Sequence, residues 1–229
     1  MKQSIEEKAV AIGARMVENG AEISRVEDTV FRILKASGTE NIQVFCISSV
    51  IIVGTENGVT AKRIRKNDLN LWEIDRLNAV SRAICSGEAL TEKENSYSTA
   101  VKLISTLFAT GSFCIYFGGN LYDAVIAGII GIVISFKKSF INGIFAKTLA
   151  DSVIAGMLSF LPSLWTKVTH PDKIMIGTIM LLIPGLTVSN AIRDMMRSDV
   201  LSGIIEITEA VFTAIAISLG FAVAVVIFQ

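Results

Sequence analysis

Charge is scarce in this sequence: 18% of its 229 residues are Asp, Glu, Lys or Arg, where a soluble domain of ordinary composition carries about 25%. Histidine is nearly missing. With only His170 present, a multi-histidine metal centre is excluded. The three cysteines, Cys46, Cys85 and Cys114, are odd in number, far apart and in no Cys-x-x-Cys pair, so neither a disulfide framework nor a zinc site is indicated. The 21 basic and 21 acidic residues cancel, which leaves no electrostatic footprint for nucleic acid. Charged residues from Lys2 to Glu18 interrupt the opening stretch, so it does not read as a secretory signal, and the N-terminus is expected to stay on the side where it is made.

The charges that exist are unevenly placed. Residues 1–98 hold 27 of the 42, and the other 131 positions hold 15. Two unlike parts follow: a charged domain over 1–98 and an apolar membrane domain over 99–229.

In the first part, Ile5, Ala9, Ile12 and Met16 recur at helical spacing, and Asn19-Gly20 suits a helix end. Ser24 with Glu27 three residues on reads as a capping box that opens a second helix, striped by Val26, Val30, Ile33 and Leu34. Residues 42–45 and 50–53 are rich in β-branched and aromatic side chains and read as buried strands. Glu56-Asn57-Gly58 is a hairpin signal, and 59–66 is the returning strand. Asp68 or Asn70 caps a third helix with Ile74, Leu77, Val80 and Ile84 inward. The basic run Lys62-Arg63-Ile64-Arg65-Lys66 is either a charged edge strand that resists edge pairing or a contact for anionic headgroups or an anionic substrate.

A helix crossing about 30 Å of hydrocarbon takes about 20 mainly apolar residues. Five stretches are read as spans, near 99–118, 121–136, 139–161, 174–192 and 201–228. The second is short, and Gly118-Gly119, Gly128 and Gly131 make it a close-packed or broken helix. Lys137, Lys138, Arg193 and Arg197 fall on the side of residues 1–98, against Lys167 and Lys173 on the other. The positive-inside rule therefore predicts a cytoplasmic N-terminal domain in a multi-pass protein of the cell membrane.

Ionisable residues inside spans cost about 2.5–3.5 kcal/mol each at mid-helix, so they face a cavity or a partner. Asp151 lies deep in the third span with Lys147 one turn before it. They form either a neutral pair that holds helices together or part of a proton or substrate path. Asp123 is a helix-start carboxylate or, with Gly118-Gly119, part of an outward gate. Glu206 and Glu209 read as interfacial, with an inward-reaching Glu206 as the alternative, and His170 as solvated in an outer loop. The fourth span carries Ile183-Pro184-Gly185-Leu186, then Asn190 and Arg193-Asp194. Proline removes a backbone donor and clashes with the preceding turn, so the helix bends or breaks there. Unpaired backbone groups at membrane depth are tolerated only within protein or around a cavity, and transporters use such breaks to meet substrate. A plain structural kink is the alternative, but the polar residues on the same helix favour a site.

Asn19-Gly20-Ala21-Glu22-Ile23-Ser24-Arg25-Val26-Glu27-Asp28 resembles the Gly-Ala-Glu…Arg-Val-Glu signature of the threonine/serine exporter family. Gly118-Gly119 with Asp123, and Ile183-Pro184-Gly185 through Asn190-Ala191-Ile192-Arg193-Asp194 to Ser198-Asp199, carry the likeness over nearly the whole chain. The layout resembles the larger subunit of the family's split, two-component form. The resemblance implies export of small hydrophilic metabolites, threonine and serine in some members and a dicarboxylate such as succinate in another branch. It also implies that the proton gradient or membrane potential drives transport. Fused members have about twice as many spans, so a smaller membrane subunit of the same family is implied as partner.

The expected fold is a membrane α-helical bundle of five transmembrane helices with an N-terminal cytoplasmic α+β domain, assembled as an oligomer in the bilayer. A substrate carboxylate is expected at Arg193 or at backbone donors opened by Pro184 and Gly185, with Asn190 and Asp194 among the polar groups beside it. Asp151 is the candidate for proton coupling, with Asp123 as a second, since a desolvated carboxylate can titrate nearer neutrality. Glu22, Arg25 and Glu27 form a charged cluster at the cytoplasmic mouth, unless they are only helix-start charges. No metal, cofactor or enzymatic activity is expected. Two rivals are a hydrolase and a membrane-anchored ligand-binding sensor, each with residues 1–98 as the active domain. Against the first, that region has no histidine, no Gly-x-Ser-x-Gly and no phosphate-binding loop. Against the second, an anchor needs no broken span.

Overall fold

The computed structural model describes residues 5–65, 69–87, 97–136, 143–166, 168–197 and 199–228. The protein is mostly helical, with nine α-helices and one three-stranded sheet among the described residues. Its chain divides into two compact units that do not follow a single cut. Residues 1–96 group with 185–208, and 97–184 group with 209–229.

In the first unit, α1 (Ile5–Glu18) and α2 (Ile23–Ala36) bury one face each. The chain turns between them at Gly20, whose φ of +86° is left-handed backbone that glycine adopts without strain. The strands β1 (Gln43–Ile47), β2 (Val50–Thr55) and β3 (Gly58–Arg63) form an antiparallel sheet in the order β1-β2-β3. Thr55 pairs with Gly58, so Glu56 and Asn57 are the two loop residues of the expected hairpin. Ile51 and Val53 of β2 point into a core with Val26, Val30, Ile33 and Leu34 of α2 and Val10, Met16 and Val17 of α1. Phe45, expected inside a buried strand, is half exposed because β1 is an edge strand with only one covered face. Lys62, Arg63 and Arg65 are exposed, Lys62 and Arg63 on the other edge strand β3, while Ile64 is buried. Lys66 lies outside the described residues.

The third helix, α3 (Leu71–Ser86), starts at Asn70, whose side chain accepts the Glu73 N–H at 3.1 Å. Asp68, the other expected cap, lies outside the described residues. Glu73 joins α1 to α3 by accepting Arg15 at 2.6 Å and Arg76 at 2.9 Å. Those guanidiniums hold its carboxyl below the usual value despite burial. The unit is completed by α8 (Gly185–Met196) and the first residues of α9 (Val200–Phe228).

The second unit comprises α4 (Thr99–Tyr116), α5 (Leu121–Phe136), α6 (Ile144–Phe160) with a 3-10 turn Leu161–Leu164, α7 (Pro171–Ile179) and the rest of α9. Helices α4 and α5 pack closely because glycines remove side chains between them. A Cβ on Gly128 would lie 2.9 Å from the Leu107 side chain, and one on Gly111 would lie 3.2 Å from the Ala124 carbonyl oxygen. Of the two readings of the short second span, close packing is the one observed.

Among the described residues three helical stretches are long and apolar enough to cross a membrane: Thr99–Tyr116, Ile144–Leu164 and Val200–Phe228. Helix α5, with 16 residues, is apolar but shorter. The expected span at 174–192 is not one helix. It is α7 of nine residues and α8 of 12, separated by 180–184. At 1.5 Å per residue each reaches less than about 20 Å. The break falls just before Pro184-Gly185, where a proline cannot continue the hydrogen-bond ladder. Lys137, Lys138 and Lys167, used to orient the chain, lie outside the described residues.

Candidate functional site

The two charged stretches of the sequence, 19–28 and 190–199, meet in the first unit. Helix α2 begins at Ile23, and its N-cap residue Glu22 gives no side-chain cap. The expected capping box of Ser24 and Glu27 does not form. The cap comes instead from α8: Asp194, fully buried, accepts the Ile23 N–H at 3.4 Å and is also bonded by the Ser24 backbone. A carboxylate there satisfies donors that the first turn of any helix leaves open and suits the positive end of the helix dipole.

Glu22 is thereby released to act as a fork. Its carboxylate takes Arg193 at 3.0 Å on one oxygen and Arg197 at 2.7 Å on the other. Ser24 bridges the group, donating to Glu22 at 2.8 Å and accepting from Arg197 at 2.8 Å. Burial alone would raise the Glu22 carboxyl, but Arg193, Ser24 and Arg197 hold it below the usual value. Asn190 donates to the Gly20 carbonyl at 3.2 Å and ties α8 to the turn before α2.

Glu27 faces the other way. It accepts the Cys46 N–H at 2.7 Å and so occupies a donor of the edge strand β1. Burial, with Asp199 and Asp194 nearby, raises its carboxyl above the usual value. The same burial and charges push the Cys46 thiol up to about 12. A cavity of about 450 Å³ opens at this junction, lined by Glu22, Ser24, Arg25, Asp28, Arg193 and Arg197. Of the residues expected at a site, Glu22, Arg25 and Arg193 line it. Asn190, Asp194 and Glu27 lie in the same stretches but are not among its lining residues.

This convergence joins the two longest of the three stretches on which the family likeness rests. The model of the family ThrE, described as "putative threonine/serine exporter", matches residues 7–228. The chain belongs to the threonine/serine exporter family. No curated protein and no solved structure matches it. It is accordingly a membrane protein of a transporter family, and its apolar helices agree with that.

Two features of the chain were missed by sequence reasoning. Arg197 and Ser24 take part in the fork. Arg197 was legible in principle, since it follows Arg193 by four residues and so shares its helix face. His170 is not merely solvated. Its ring nitrogen Nδ1 lies 2.9 Å from Asp123 Oδ2, and its backbone N–H donates to Asp123 Oδ1 at 2.9 Å. Asp123 is fully buried at the start of α5 and exchanges hydrogen bonds with Asn120, whose side chain donates to the Val168 carbonyl at 2.8 Å. Those contacts tie the loop before α7 to the start of α5.

Asp151 is buried on α6, on the face that also buries Thr148, Ser152, Ala155, Gly156 and Ser159. That face is polar and small at i, i+3, i+4 spacing, unlike the apolar remainder of the helix. Lys147 on the same helix is half-buried. Glu206, on the α9 portion within the first unit, is buried. Gly185 opens α8 with nothing within 4 Å of where a Cβ would stand. Ser198, in the third signature stretch, lies outside the described residues. Among the described residues no group of His, Cys, Asp and Glu is arranged to hold a metal ion.

Proposed function

We propose that this chain is one subunit of a secondary active exporter that moves small hydrophilic metabolites of the threonine/serine kind out of the cytoplasm. The proton gradient or the membrane potential drives it. Five segments cross the bilayer, with α5 short and the fourth broken into α7 and α8, and the domain rich in charge faces the cytoplasm. A smaller membrane subunit of the same family completes the pathway, within an oligomer.

The observation that carries this reading is the buried polar face of α6, with Asp151 at its centre, in a helix apolar enough to span a membrane. A carboxylate sequestered at such a place is costly unless it is paired or faces a polar cavity, and the small polar side chains around Asp151 support a polar path. Asp151 carries the proton in this scheme, and Asp123 is the second candidate at the other end of the route. The break at Pro184-Gly185 and the polar residues Asn190, Arg193 and Asp194 of α8 serve substrate recognition. Glu22, Arg25 and Glu27 form the mouth. The cavity at 22–28 and 193–197 is lined by three arginines against two carboxylates, and this excess of positive charge keeps a small dicarboxylate as the second substrate reading.

The test is flux from vesicles holding the chain with its smaller subunit, loaded with threonine, serine or succinate, under an imposed pH gradient. Efflux of one class that collapses with the gradient, and falls at least tenfold in Asp151→Asn, is the expected result. Gradient-independent leakage that is equal in the variant overturns the proposal.

A further inference from the structure

We propose that the cavity where α2 meets α8 is a binding site for a small carboxylate-bearing solute, and that Glu22 is its internal competitor. Glu22's own carboxylate sits where the solute's would, across the guanidiniums of Arg193 and Arg197. The inference rests on the export reading only for the kind of solute. The site itself is argued from its geometry.

A fork of two guanidiniums is matched to the two oxygens of one carboxylate. In this structure that partner is supplied from within, with one Glu22 oxygen on each arginine at 3.0 and 2.7 Å. Glu22 is almost wholly covered, its side chain 8% exposed, while both arginine side chains are 55% exposed and still turn donors toward the opening. Each guanidinium has five donors, and the contacts described use few of them.

Arg25 is exposed on the same wall and has no ion-pair partner among the described residues. Asp28, the second acidic lining residue, is engaged by Arg32 at 2.7 Å. The lining thus carries one more positive charge than negative, and the cationic group left over is the one nearest to free. An anion is the solute this arrangement attracts. The internal occupant shows that a carboxylate fits the fork. A cavity of about 450 Å³ holds a molecule the size of a hydroxy amino acid or a four-carbon dicarboxylate.

If Glu22 competes for the fork, neutralising it must improve binding rather than harm it. A residue that merely held α2 to α8 would do the opposite. The experiment is calorimetric titration of the full chain in detergent with threonine, succinate, threonine amide and inorganic phosphate. The parent and the Glu22→Gln, Arg25→Ala, Arg197→Ala and Arg193→Lys variants are compared, each with a melting curve to establish that it folds.

The expected result is that threonine or succinate binds and that threonine amide, which lacks the carboxylate, does not. Glu22→Gln should tighten binding about tenfold, the scale of removing one charged hydrogen-bonded competitor, and the three arginine substitutions should weaken it by a similar factor or more. Threonine and succinate separate the two solute classes. Equal binding of the amide, preference for phosphate, no binding to the parent or to Glu22→Gln, or a Glu22→Gln loss as large as that of Arg25→Ala each overturns the proposal. Should Glu22→Gln fail to fold, Glu22→Asp replaces it, because its carboxylate, one methylene shorter in reach, is drawn back from the guanidiniums and must also tighten binding. Flux plays no part in this measurement. Binding without flux sinks the export reading alone, and flux without carboxylate binding sinks this one.

Discussion

The cap that Asp194 gives α2 from 171 positions away can be removed in two ways that separate its oxygen from its charge. Asp194→Ala deletes both. Losing an N-cap acceptor costs about 0.5–2 kcal/mol, and leaving a buried backbone donor unsatisfied costs about 1–3 kcal/mol. These describe the same lost bonds and are not added. Against the loss stands relief of a buried charge. Burial, together with the carboxylates of Glu22 and Asp199, raises the Asp194 carboxyl above its usual value even though the Ile23 and Ser24 N–H groups favour ionisation. The net expected cost is about 1–2 kcal/mol.

Asp194→Asn keeps an oxygen for the Ile23 and Ser24 donors and drops only the charge. A carboxyl whose folded pKa is raised binds more protons folded than unfolded. Its ionisation therefore subtracts stability as pH climbs from the unfolded value, about 4, through the raised folded one. The asparagine variant should match the parent at low pH and exceed it increasingly until that window is passed. Thermal unfolding in detergent across pH reads the global effect, and amide hydrogen exchange at Ile23 and Ser24 reads the cap itself. Equal exchange at both amides in Asp194→Ala and the parent refutes the cap. An asparagine variant as unstable as the alanine one refutes the charge argument.

Glu27→Gln should leave the Cys46 N–H satisfied and melt no lower than the parent at pH 7, whereas Glu27→Ala should cost about 1–3 kcal/mol by orphaning that donor; unfolding curves of the two variants decide it. Maleimide at neutral pH should label exposed Cys85 and spare Cys46 and Cys114, which are buried, and all three should react once the chain is unfolded; mass spectrometry counts the adducts. Gly177→Val should destabilise the second unit by about 1–3 kcal/mol, because its Cβ would lie 2.8 Å from the Thr110 carbonyl oxygen. Gly185→Ala, where a Cβ meets open space, should shift the melting temperature little.

Where an element's pattern is local, it was legible. The α1 and α2 stripes, the Asn57-Gly58 hairpin and the Asn70 cap rest on residues within four positions of one another, and each has its own geometric signature. Contacts of long sequence separation were not legible. Ser24 and Glu27 have the spacing of a capping box, yet Asp194 supplies the cap and Glu27 is drawn to Cys46 on β1. Nothing within ten residues of Ser24 announces either partner. The pairing of Asp123 with His170 spans 47 positions and is invisible for the same reason. For the candidate site, the sequence showed which residues carry charge, but not which partners they meet.

The span read at 174–192, expected to bend or break at Pro184, is two helices, and hydropathy alone does not show why. A hydropathy window averages over residues that share a length of chain, on the assumption that they share a helix. Here the window adds the apolar α7 to the first turns of α8, two segments that belong to different compact units. Helix α8 carries Asn190, Arg193 and Asp194 within five residues, and Arg197 follows at once. Each of those side chains is bonded to residues 20–24. Their polarity is therefore matched by partners on the charged domain, which the average over 19 positions does not register. The proline is what makes two destinations possible, because it ends the backbone ladder that would otherwise carry α7 straight into α8. The decisive signal was thus the placement of polar residues after Pro184, with Asn190, Arg193, Asp194 and Arg197 all bonded to the stretch around Glu22, rather than the hydropathy before it.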